Sequence, residues 1–172
     1  EKFQEYREPF IGGGSFFIYL KQTFPQVKFW INDINPELYF FWKYAQVDSE
    51  KLAHEVSKMK KNNSNGRDLF NSLVTGDVQK LNELERAIRF FVLNRITFSG
   101  LVEAGGYSQQ AFDGRFTQSA IERVAQLGEL LQGVKITNFD YRKLLDTGSK
   151  KVFTFLDPPY LVATNSKLYG RN

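Results

Sequence analysis

The run Asp157-Pro158-Pro159-Tyr160, placed directly after the apolar stretch Val152 to Leu156, holds the most specific chemistry of the chain. It puts a carboxylate, two rigid carbonyls and an aromatic ring at the carboxyl end of what reads as a buried strand, where open α/β sheets keep their ligand sites. Each proline fixes φ and lacks a backbone donor, so the turn offers acceptors, and Asp157 adds a charged one. A site built from acceptors suits a substrate N–H. Read alone, the same residues also describe a tight turn in which Asp157 caps and Tyr160 packs.

A second constellation lies near the start. Gly12-Gly13-Gly14-Ser15 ends the short apolar segment Tyr6 to Ile11, and such glycines let a ligand approach the backbone closely at the mouth of a helix. Asp33 lies 19 residues beyond Gly14, at the tip of a second strand, where a carboxylate can accept both hydroxyls of a ribose. Read alone, the glycines also describe a plain tight turn; with Asp33 the pair points to a nucleoside-bearing cofactor. The glycine spacing is not the dinucleotide fingerprint, and Glu8 just before the turn is badly placed for an anionic ligand group. A cofactor with adenosine and no phosphate fits better.

The elements that must carry these groups follow from periodicity. Tyr6 to Ile11 predicts a strand and Phe16 to Gln22 a helix with Phe16, Phe17 and Leu20 on one face. Val27 to Ile31 predicts a strand covered on both faces, and Asn35-Pro36 caps a dense apolar helix over Leu38 to Ala45. A polar helix with Leu52, Val56 and Met59 on one stripe follows from Ser49, then a mobile loop over Lys60 to Gly66. Helix resumes near Val78 or Lys80 and carries Leu81, Leu84, Ile88, Phe91 and Val92 at helical steps. Gly100, Gly105, Gly106 and Gly114 make Phe98 to Phe116 a loop or hairpin, and Thr117 reopens a helix bearing Ile121 and Val124. Val134 to Thr137 and Val152 to Leu156 supply the last strands. Between the second and third strands, Asp33 to Gly133 covers 101 residues where a parallel crossover needs about a dozen. The fold class is therefore α/β, with a mostly helical insertion between strands 2 and 3: residues 1–48 and 131–172 form the sheet domain and 49–130 the insertion.

Composition narrows the function further. Of 172 residues, 42% are hydrophobic and 16% aromatic, enough for a core, and the chain has no apolar run long enough to span a membrane. Cysteine is absent, which removes disulfides, thiolate metal sites and cysteine nucleophiles; the single His54 sits on a polar helical face, and no metal site is expected. Residues 1–86 hold 12 basic and 12 acidic side chains, residues 87–172 hold 11 and 7, so the net charge of +4 resides in the second half. That balance permits a polyanionic partner.

Glu8-Pro9-Phe10-Ile11-Gly12-Gly13-Gly14-Ser15, Asn32-Asp33-Ile34-Asn35, Asn138-Phe139-Asp140-Tyr141 and Asp157-Pro158-Pro159-Tyr160 occur in the order seen in the Dam-like (alpha) group of S-adenosylmethionine-dependent DNA adenine methyltransferases, which the chain resembles throughout. Asn94 to Leu101 resembles the target-recognition stretch of that group and Ser166 to Gly170 the segment after its catalytic motif. The resemblance implies a Rossmann-like class I methyltransferase sheet, incomplete here because later strands and an upstream segment over the cofactor fall outside these residues. It implies that S-adenosyl-L-methionine is held by Pro9, Phe10, Gly12, Gly13 and Gly14, with Asp33 on the ribose and Ile34, Asp140 and Tyr141 at the adenine. It implies a target adenine gripped by Asp157, Pro158, Pro159 and Tyr160, and double-stranded DNA met by Arg89, Asn94, Arg95, Phe98, Ser99, Tyr107 and Arg115. The exocyclic amine, stacked inside a duplex, must be flipped out and then attacks the methyl group in line. A cognate restriction endonuclease and a cytoplasmic, prokaryotic or phage-type setting are further implications. After Leu101 the chain departs from the group, reading Val102-Glu103-Ala104-Gly105-Gly106-Tyr107, which leaves the target sequence open. Transfer to RNA or cytosine amines, and a catalytically silent nucleic-acid-binding fragment, stand as alternatives.

Overall fold

The structure, a computed structural model, describes residues 3–100, 102, 105–148 and 150–158. Glu5–Glu8 form β1, an interior strand flanked in parallel by β2 (Lys28–Asn32) and β4 (Val152–Thr154), and β3 (Lys135–Thr137) completes the order β3-β2-β1-β4. The register pairs Tyr6 with Phe29 on one side and Phe153 on the other. Interior parallel strands are covered on both faces, and Tyr6, Arg7 and Glu8 are all buried. Two of those three are charged, and each has found partners.

Helix α1 (Ser15–Thr23) leaves the glycine turn and buries Phe17 and Leu20. Helix α2 (Pro36–Val47) starts as its sequence dictates: the Asn35 side chain accepts from the Glu37 and Leu38 amides while Pro36 takes a position that needs no donor. Then follow α3 (Ser49–Asn62), α4 (Gly66–Thr75), α5 (Glu83–Ile96), α6 (Gln109–Arg115), α7 (Gln118–Ala125), α8 (Leu127–Leu130) and, after β3, α9 (Arg142–Asp146). A capping box between Asn82 and Glu85 opens α5.

The apolar core is continuous from the sheet (Tyr6, Ile31) through α2 (Phe41, Trp42) into α5 and α7 (Phe91, Ile121). The Phe41 and Phe91 rings stack at 5.7 Å with 12° between planes, so α5 is packed directly on the helix that follows β2. Burying rings of this size stabilises the contact by about 1.5–3 kcal/mol each.

Two sequence expectations are corrected. The loop over Lys60 to Gly66 shrinks to residues 63–65, because Asn65 caps α4 through the Arg67 and Asp68 amides and Leu69 gives that helix a buried anchor. Phe98 to Phe116 is not a loop or hairpin throughout. Among the described residues an antiparallel bridge joins Thr97 to Tyr107, and Ser108 then caps α6. His54 is exposed, as its polar helical face predicts.

Candidate active site

The strand order reverses between β1 and β4, since the chain steps outward from β1 to β3 and returns on the other flank of β1. A reversal of this kind opens a crevice at the carboxyl ends of the two strands. There, Glu8, Phe10, the turn Gly12 to Ser15, Phe155, Asp157 and Pro158 line a pocket of about 380 Å³.

The turn needs its glycines for two separate reasons. Gly12 (φ 46°) and Gly14 (φ 66°) adopt left-handed backbone that side chains disfavour. At Gly14 there is also no room, because a Cβ would lie 2.7 Å from the Trp42 ring. Trp42 donates its indole N–H to the Gly12 carbonyl at 3.2 Å, and Gly14 donates to the Ile11 carbonyl at 2.8 Å, so the turn is held from both sides.

Asp33 reaches this turn from β2. The Gly12 amide donates to its Oδ2 at 3.2 Å and the Asn35 amide to its Oδ1 at 3.0 Å. Burial pushes the carboxyl above its ordinary range, and the backbone donors pull it part of the way back. A carboxylate so placed keeps lone pairs for hydroxyl donors of a ligand.

Glu8 is the residue that sequence reasoning undervalued. It is 3% exposed, lines the pocket, and accepts from the Tyr6 hydroxyl. Burial raises it to about 7; the Tyr6 hydrogen bond opposes the rise, and the charge of Asp157 adds to it. Its place at the end of an interior strand, just before the glycine turn, was the available signal. Two carboxylates on one small pocket fit a cationic ligand group.

The rim beyond β3 lies beside the turn. The Phe10 and Tyr141 rings are 5.3 Å apart. Asn138 donates to the carbonyls of Asp33 (2.7 Å) and Ile34 (2.9 Å), which ties this rim to the loop after β2. Ile34 and Tyr141 remain exposed, as a platform for a flat ring would be. Asp140 holds the Arg142 amide at 2.9 Å and the Arg142 guanidinium at 2.8 and 2.7 Å, a pairing that lowers its carboxyl to about 2. Pro9 contributes its carbonyl to the Asn32 side chain at 3.1 Å.

The residues expected to meet DNA divide into two groups. Arg89 donates to the Leu73 carbonyl at 2.8 Å and ties α4 to α5, while Tyr107 packs with Phe70 and Phe112 under the Arg67 guanidinium. Around the C-terminus of α5 the surface is of another kind. Phe98 is 69% exposed, and Asn94 holds the Gly100 carbonyl at 3.0 Å. Arg115 donates to the Thr97 carbonyl. Arg95 lies over the Phe91 ring with its Nε buried and without a hydrogen-bond partner among the described residues. Burial, then the neighbouring charges of Arg123 and Arg115, lower its pKa. Arg123, which sequence reasoning passed over, belongs with this basic group. The Ser99 side chain, Pro159 and Tyr160 lie outside the described residues.

A larger, more open pocket of about 470 Å³ lies where α2 meets α3, against α7 and α8, and none of the predicted site residues lines it. Gln46 on its wall is already committed to the Leu131 and Val134 carbonyls. Among the described residues no helix is long and apolar enough to cross a membrane, and no three His, Asp or Glu side chains gather as metal ligands would.

Comparison with known proteins shows what the chain is similar to. The model of a family described as D12 class N6 adenine-specific DNA methyltransferase matches residues 1–172. The type II methyltransferase M1.LlaDCHI of Lactococcus lactis subsp. cremoris is 30% identical over 177 residues, covering 98% of this chain and 61% of that protein. The type II methyltransferase M.MjaIII of Methanocaldococcus jannaschii is 29% identical over 170 residues, covering 91% of this chain and 58% of its own. The chain thus spans about three fifths of the length of these curated relatives.

Proposed function

The chain belongs to the D12 class N6 adenine-specific DNA methyltransferase family, and we propose that it carries the catalytic half-site for methyl transfer to the exocyclic amine of adenine in double-stranded DNA. The observation that carries this reading is the convergence at one strand-order reversal of Glu8 and the glycine turn, at and just after the end of β1, with Asp157, which follows β4 149 residues beyond Glu8. S-adenosyl-L-methionine, when bound, supplies an electrophilic methyl group on a sulfonium centre. Phe10 and the turn Gly12 to Gly14 hold its methionine part, Glu8 balances its positive charge, Asp33 accepts from the ribose, and Ile34 with Tyr141 covers the adenine. Asp140 takes part at the adenine by sharing a carboxylate oxygen now turned to Arg142.

The adenine amine is a weak nucleophile because its lone pair is delocalised into the ring. Asp157 and the Pro158 carbonyl each accept one of its N–H groups, which raises electron density on nitrogen and aims the lone pair at the methyl group. After transfer the nitrogen sheds one proton, and the Asp157 carboxylate is the adjacent acceptor. Pro159 and Tyr160, outside the described residues, complete the grip on the flipped base. Residues 49–130 supply target recognition: Phe98 enters the stack, Asn94, Ser99 and Tyr107 border it, and Arg95, Arg115 and Arg123 face phosphates, with Arg89 behind them. The type II label of the relatives favours a restriction endonuclease as genetic partner.

The test is transfer of a labelled methyl group by the intact protein to duplex DNA, RNA and duplex already methylated at adenine. Label confined to unmodified duplex, recovered as N6-methyladenine, is expected; label in cytosine or RNA would refute the proposal.

A further inference from the structure

Asn32 is fully buried at the carboxyl end of β2, and every hydrogen-bonding position of its amide is used. Its Nδ2 donates to the Pro9 carbonyl at 3.1 Å and to the Phe139 carbonyl at 2.9 Å. Its Oδ1 accepts from the Phe139 amide and from the Thr137 hydroxyl, both at 2.8 Å. The Thr137 oxygen in turn accepts from the Trp30 indole at 2.9 Å. One planar group therefore spans the exits of three strands: Pro9 leads into the glycine turn after β1, Asn32 ends β2, and Phe139 begins the rim after β3.

We propose that Asn32 is a positioning residue that sets the distance between the glycine turn and the Phe139–Tyr141 rim, and thereby the spacing at which the two ends of the cofactor are gripped. This rests on the reading of the pocket as a methyl-donor site. The requirement is specific to asparagine. Two donors and a doubly accepting oxygen must lie in one plane on a short stem; aspartate lacks the donors, serine and threonine have one, and glutamine is too long for a side chain with no exposure. No backbone hydrogen bond joins the turn to the rim among the described residues; the Asn32 amide bonds to both directly, beside the Phe10–Tyr141 contact and the indirect route through Asp33, which takes Gly12 on one side and Asn138 on the other.

The experiment uses the intact protein and its Asn32→Asp variant, with Ile121→Ala, a remote core truncation, as the control for general loss of stability. Hydrogen exchange is followed in residues 10–15 and 138–141, and affinity for S-adenosylhomocysteine is measured by calorimetry. In Asn32→Asp both segments should exchange about tenfold faster and together, and affinity should fall about tenfold. Ile121→Ala should lower the melting temperature at least as far while leaving affinity within about twofold. If Asn32→Asp does not fold, Thr137→Val removes one donor to Oδ1 and should give about threefold changes in the same directions. Exchange unchanged in either segment, or unchanged affinity in a folded variant, overturns the assignment. Joint acceleration in a protein whose parent binds no S-adenosylhomocysteine leaves the coupling standing and overturns the donor-site reading instead.

Discussion

The amide of Gly12 points at the carboxylate of Asp33, 3.2 Å away, although 21 positions separate them in sequence. The glycine turn and the acid at the tip of β2 therefore form one unit, in which the acid braces the turn.

Asp33→Ala should weaken cofactor binding by about 2 kcal/mol, near thirtyfold, the usual contribution of hydrogen bonds to a charged group. Calorimetric titration of the intact protein measures it. An unchanged dissociation constant would remove Asp33 from the site.

The pH dependence turns on Glu8. Its carboxyl titrates at about 7 when folded, above the ordinary range because burial disfavours the charge. The folded state thus keeps this proton to higher pH than the unfolded state does. Its contribution to stability falls as pH rises from the ordinary carboxylate range to about 7, with a slope of at most roughly 1.4 kcal/mol per pH unit. A sulfonium ligand favours the ionised form, so affinity for S-adenosylmethionine should rise with pH through that window. Affinity for the uncharged thioether product should rise less. Glu8→Gln should flatten both profiles, and parallel profiles for the two ligands would count against a carboxylate facing the sulfonium.

Asp157→Ala should abolish turnover while leaving cofactor affinity within about threefold, since its proposed partner is the target amine rather than the donor. Single-turnover assays beside binding titrations separate the two effects. Retained methylation would strip Asp157 of its assigned role.

Arg123 is exposed, so Arg123→Gln should not change the melting temperature. If it faces a phosphate, the slope of log affinity against log salt for duplex DNA should become shallower by about 0.9. A slope identical to that of the parent places Arg123 away from DNA.

Gly14→Ala and Gly13→Ala should diverge. The first forces a side chain into left-handed backbone and against the Trp42 ring, costing about 2–4 kcal/mol, while the second projects a methyl into open space and costs less than about 1 kcal/mol. Thermal denaturation of the two proteins decides it.

Much of this was legible in the sequence because the sheet strands announce themselves. Val27 to Ile31 and Val152 to Leu156 are apolar runs too short for helices; the second runs into Asp157 and Pro158 on the pocket wall, and the first into Asp33, which holds the Gly12 amide of the turn. Asp33 was readable because spacing from a glycine turn is a local signal. Helices α4 and α6 were not, since Asn63-Ser64-Asn65-Gly66 and the glycines around Tyr107 read as loop when their caps, Asn65 and Ser108, are taken for turn residues. Glu8 and Asn32 were harder still. Position before the glycine turn hints at Glu8, but the partners that make both residues matter, Asp157 for one and Phe139 for the other, lie beyond the ends of other strands, where no local pattern records them.

Trp42 closes over the turn and donates to it, whereas the other tryptophan of the chain, Trp30, lies under the Lys135 and Arg7 cations on β2. The protein accordingly carries its own fluorophore against the glycine turn. Emission from Trp42, isolated by replacing Trp30 with phenylalanine, should register ligand entry in real time without any attached dye.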